Sequence, residues 1–210
     1  MNGTPGSRGE HILQAELCTE ERAERFYTRQ MLTSLNPAMI EFVGQRDLMF
    51  IATADAAGAC DVSLRAGPPG FVRVLAPDVL AYPEYRGNGV MASMGNIVEN
   101  PHVGLMLVDF VTDQIGLHIN GSATVVSDAA LRERHPDLPR ARIPDQVAAR
   151  WVLIEVEEAY IHCSRHIPAL IPASRNRTDG TPGEHRRGGN YFLVDARPGS
   201  DAQADITGHP

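Results

Sequence analysis

FIATADAAGACDVSLRAGPPGFVRVL, residues 50–75, decides the fold. Within LMFIATA (48–54), the turn Asp55-Ala56-Ala57-Gly58 and ACDVSL (59–64), two apolar runs flank a short glycine-bearing turn, which predicts a β-hairpin. FVRVL (71–75) follows and, across Ala76-Pro77-Asp78, so does VLAY (79–82). Four short strands in succession predict an antiparallel sheet or barrel.

Upstream, Asn36-Pro37 caps and starts a helix whose Met39, Ile40 and Val43 form one packing stripe. Before it, Thr19 caps a helix with Glu20 and Glu21 in its first turn and Ala23, Phe26, Tyr27 and Leu32 at helical spacing; a Gly-rich tail precedes. Downstream, the helix-like VMASMGNIVEN (90–100) ends at Pro101, and VGLMLVDF and GLHINGSATVV read as strands. Residues 128–150 look helical and charged, broken at Pro136, Pro139 and Pro144, before the long strand WVLIEVEEAYIHC (151–163). Six or seven strands ordered as hairpins predict a mainly β chain with short helices, a closed or split antiparallel barrel. The expected organisation is an N-terminal tail and helix over 1–35, a barrel domain over 36–172, and a flexible Gly/Pro/Arg-rich tail over 173–210.

Composition narrows the function classes. A hydrophobic fraction of 43% in 210 residues supports one sizeable core. A net charge of −7 argues against nucleic-acid or anionic-membrane partners, which need a basic face. No run reaches the roughly 18–20 apolar residues of a membrane span, and MNGTPGSRGE lacks the apolar centre of a secretion signal, so a cytoplasmic address is expected. Cys18, Cys60 and Cys163 are too scattered for a disulfide framework or a zinc ribbon. All 19 basic residues are arginine. The absence of lysine excludes a pyridoxal-phosphate Schiff-base enzyme, a P-loop nucleotidase and a protein kinase, each built around a lysine.

The loop Tyr85-Arg86-Gly87-Asn88-Gly89 sets an arginine fork beside two glycines and an asparagine, just before a helix start. Backbone N–H groups, a partial positive charge and a bidentate donor together suit a phosphate. A simple Gly/Asn turn with a solvated arginine accounts for the same residues.

The hairpin 50–75, LAYPEYRGN (80–88) and GNIVENPHVGLML (95–107) together resemble the flavin-binding split barrel of the pyridoxamine 5′-phosphate oxidase-like proteins, over about residues 35–165. The resemblance implies a homodimer of six-stranded barrels with flavin mononucleotide (FMN) at the subunit interface and a small-molecule substrate. It places Phe71, Val72, Arg73 and Val74 along the isoalloxazine, Arg86, Asn88, Ser93 and Asn96 on the ribityl phosphate, and Ser63 and Arg65 near the ring. The function it implies is an FMN-dependent oxidoreductase; the alternative is a carrier or sensor of flavin, deazaflavin or haem without turnover. Two departures argue against pyridoxamine phosphate as substrate: Ala92-Ser93 stands where the oxidase has an Arg-Lys pair, and EHRRGGNYFLVDARPGS offers no counterpart to its Arg-x-His signature.

His162-Cys163-Ser164-Arg165-His166 combines imidazole and thiol donors of the kind that ligate a metal or haem iron. Adjacent strand residues face opposite sides, so a core or dimer-interface role is preferred. His118 and Trp151 read as structural, and Asp109 and Asp113 as turn residues.

Overall fold

The structure, a computed structural model, describes residues 5–87, 89–138 and 148–171. Among these, seven strands form one antiparallel sheet: β1 (Leu48–Ala54), β2 (Cys60–Ala66), β3 (Arg73–Ala76), β4 (Val79–Glu84), β5 (His102–Asp109), β6 (Ile115–Val126) and β7 (Arg150–His162). Their order is β2-β1-β5-β6-β7-β4-β3. This is a mainly β split barrel, with seven strands where the resemblance implied six. Five short helices accompany it: α1 (Arg8–Glu16), α2 (Glu20–Arg29), α3 (Pro37–Gln45), α4 (Ala92–Glu99) and α5 (Asp128–Arg134).

The hairpin forms as its sequence predicts, with Leu48 opposite Ala66 and Ala54 opposite Cys60. Asp55 organises the turn, its carboxylate accepting from the N–H groups of Ala57 and Ala59 while Gly58 takes φ +84°. Asn36 caps α3 by accepting from the Met39 N–H. Val43 enters the core with Met39 and Ile40 packed at its margin.

Three expectations need correction. The N-terminal stretch holds two helices, because Ser7 and Glu10 form a reciprocal capping box that starts α1. Thr19 stands at the start of α2 without a side-chain capping bond, its φ and ψ of −115° and 8° lying outside the extended region from which a cap hydroxyl reaches forward. The strand expected at 71–75 begins only at Arg73, since Phe71 closes the preceding turn, its N–H donating to the Pro68 carbonyl, and the chain bends at Val72. The expected tail, 173–210, lies outside the described residues.

Inward-facing alternate positions build the core. Met49, Ile51, Leu80, Tyr82, Leu105, Leu107, Ile119, Val152 and Ile154 are fully buried, each apolar side chain contributing about 1.5–3 kcal/mol. A second cluster joins Ala81, Leu131, Leu138 and Trp151, whose Nε1 donates to Asp128 at 2.9 Å. Trp151 is thus structural, as its sequence context suggests.

Candidate functional site

Alternation along β2 turns Asp61, Ser63 and Arg65 inward while Val62 and Leu64 stand 69% and 55% exposed. Together with Phe71, the end of β4 (Pro83, Glu84), the loop Tyr85–Gly87 and the start of α4, these residues wall a cleft of about 560 Å³. That volume falls in the range of about 300–1,000 Å³ found for small-molecule sites.

Two hydrogen-bonded groups organise the cleft. Arg65 donates from Nε and Nη2 to one oxygen of Glu84, at 2.8 and 2.7 Å, and the Tyr82 hydroxyl donates to the same oxygen at 3.2 Å. Burial, and then the Glu84 charge, push the Tyr82 phenol well above its ordinary range, so it stays a donor. On the other side, the Asp61 carboxylate accepts from Ser63 at 3.0 Å and from Ser93 at 3.2 Å, and the Ser93 hydroxyl lies 3.3 Å from that of Ser63.

The loop leading to α4 answers to its glycines. Gly87 and Gly89 sit at φ +48° and +81°, and a Cβ on either would meet open space. Backbone handedness, not crowding, is what calls for glycine there. Met91, before α4, also takes a left-handed φ of +58° and makes no side-chain capping bond.

Of the residues the sequence singled out, Ser63, Arg65, Phe71, Arg86 and Ser93 line the cleft together. Val72 is buried in the core and Val74 packs against it, so neither lines the cleft. Arg73, on β3, is half-buried outside the lining; partial burial raises the phenol of Tyr85, and the Arg73 charge opposes that rise without cancelling it. Asn96 also lies outside the lining: its amide donates to Thr53 on β1 at 3.0 Å. Asn88 lies outside the described residues. Sequence reasoning missed Asp61 and Glu84. The spacing Asp61-x-Ser63-x-Arg65 was the available signal for the first, since period two puts all three on one face.

His118 and His162 meet on the sheet face away from this cleft, Nε2 to Nδ1 at 2.9 Å, with Tyr160 stacked on His118 at 4.8 Å. Burial, and then the neighbouring His162, lower the His118 imidazole below its ordinary range. Asp109 orders the turn after β5, accepting from the N–H groups of Val111, Thr112 and Asp113. Among the described residues no group of three or more His, Cys, Asp or Glu is placed to hold a metal ion, and no helix is long and apolar enough to cross a membrane.

A family model described as pyridoxamine 5′-phosphate oxidase matches residues 35–163, more than half of the chain. Among solved structures, HupZ of Group A Streptococcus is 22% identical, over 60% of this chain and 93% of that one, with a TM-score of 0.47. HutZ of Vibrio cholerae, named as a haem storage protein, is 17% identical over 61% and 94%, with a TM-score of 0.38. An F420 reductase is 17% identical over 58% and 94%, with a TM-score of 0.37. No curated protein matches the chain.

Proposed function

Because the chain belongs to the pyridoxamine 5′-phosphate oxidase family, we propose that it is an FMN-dependent oxidoreductase acting on a small organic molecule, with the flavin held in the cleft between β2, β4 and α4. The observation that carries this reading is the convergence of Ser63, Arg65, Phe71, Arg86 and Ser93 on one cleft that also opens on the start of a helix. The donor set suits the coenzyme: Phe71 and Met94 offer apolar contact to a planar ring, and Arg86 and the first N–H groups of α4 offer charge and donors to its tail.

Bound flavin supplies hydride acceptance and onward electron transfer. The protein's part is to hold and orient. Glu84 fixes the Arg65 fork at the cleft wall, and Asp61 fixes the two serine hydroxyls. Each carboxylate thereby already accepts hydrogen bonds from neighbouring side chains. That commitment favours the second reading, a flavin or deazaflavin carrier without turnover. Haem is disfavoured in this cleft because no histidine lines it among the described residues.

A homodimer belongs to the proposal. Leu64, Phe50 and Met106 lie side by side across β2, β1 and β5, and the exposed Val62 and Leu64 form an apolar row beside the cleft that a second copy would cover. Three exposed, unpaired cysteines suit a reducing, cytoplasmic setting. Pyridoxamine 5′-phosphate fits poorly as substrate: its dianion needs a cation cluster of its own, and Arg65 is already committed to Glu84.

The test is absorption of the purified protein followed by assay with NADH or NADPH. Bands near about 370 and 450 nm are expected for bound flavin. A Soret band in their place overturns the flavin reading, and bound flavin that never turns over selects the carrier.

A further inference from the structure

We propose that Asp61 sets the charge of the coenzyme tail that the cleft accepts, an inference that rests on the flavin reading above. Asp61 is half-buried on the cleft side of β2, and one carboxylate oxygen takes the hydroxyls of both Ser63 and Ser93. Ser93 is the second residue of α4. The carboxylate is therefore tethered to the helix start, where a coenzyme phosphate would seek its donors.

The charges of the cleft make the competition explicit. Its described lining holds two carboxylates, Asp61 and Glu84, and two guanidinium groups, Arg65 and Arg86. Arg65 is paired with Glu84 at 2.7 Å, which leaves Arg86 at the exposed rim to balance Asp61. A phosphomonoester brings about 1.5–2 negative charges at neutral pH. It enters a lining with no excess positive charge and must draw Ser63 and Ser93 away from a carboxylate that is itself only an acceptor. Affinity then comes from the ring and ribityl chain, and the terminal phosphate adds little while Asp61 is charged.

Riboflavin and FMN differ only in that phosphate, so titrating the full chain with each, by quenching of flavin fluorescence, isolates its contribution. For the native sequence the two dissociation constants should agree within about threefold, and Asp61→Asn should raise the preference for FMN over riboflavin by about tenfold or more. Asp61→Ser should move that preference the same way, with far-UV circular dichroism and a cooperative melt showing that each variant is folded. FMN binding about a hundredfold tighter than riboflavin to the native protein overturns the inference while leaving the flavin reading intact. So does an Asp61→Asn variant whose preference for FMN over riboflavin is unchanged or lower. If neither ligand binds the native protein, the flavin reading itself falls and takes the inference with it.

Discussion

Arg65 places both Nε and Nη2 on a single oxygen of Glu84, so a guanidinium that the sequence alone assigns to a ligand is held by a carboxylate 19 residues further along the chain. Glu84 is 6% exposed. Removing its charge would strand Arg65 in a mostly dry wall. Glu84→Gln is expected to lower stability by about 3 kcal/mol in urea unfolding. Combining it with Arg65→Met should cost less than the two single changes added together, because neither charge is then left alone. Strict additivity would show that the pair does not act as a unit.

Arg86 tests the phosphate end of the cleft from the opposite sign. Arg86→Ala is expected to weaken FMN binding about tenfold, the lower end for a charge-assisted hydrogen bond at an exposed position. Riboflavin should be indifferent to the change. Equal weakening of both flavins would move Arg86 from the tail to the ring.

Asp109 gives an acid-stability prediction with a defined window. Burial alone would raise its carboxyl, but the N–H groups of Thr112, Val111 and Asp113, with Arg46 at 3.2 Å, pull it down to about 2. A native carboxyl below its unfolded value stabilises at neutral pH, and this contribution fades as pH falls from about 4 to about 2. Asp109→Asn should therefore cost about 2 kcal/mol at pH 7, with the gap to the native protein closing through that window. A gap independent of pH would assign the loss to geometry rather than charge.

His118 should act at milder pH. Its imidazole is lowered by burial and by His162, so below about pH 6.5 the unfolded chain takes up a proton that the native state resists. Stability contributed by the neutral His118 imidazole is lost as the pH falls. His118→Gln should flatten the unfolding free energy between about pH 7 and 5. An unaltered slope would show that burial does not lower the His118 imidazole.

Local chemistry made part of this molecule readable in advance. The Asp55–Gly58 turn, the Asn36 cap and the period-two runs need only near neighbours, so β1, β2, α3 and the succession of strands along the chain were legible. Helix α1 escaped notice because its glycines and polar residues mask the Ser7-x-x-Glu10 box that starts it. In the cleft, residue types pointed to Ser63, Arg65, Phe71, Arg86 and Ser93, but their partners did not follow. Glu84 faces Arg65 and Asn96 reaches Thr53 only once β4 and α4 have docked, 19 and 43 residues away in sequence.

The left-handed Met91 at the start of α4 has one more consequence. Met91 makes no side-chain capping bond at the helix entrance, so a ligand that accepts from those amides completes the helix as well as filling the cleft. Occupancy and folding then draw on the same donors, and the melting temperature becomes a reporter of recognition. A thermal-shift survey of candidate coenzymes and substrates reads the cleft directly, without knowing the reaction beforehand.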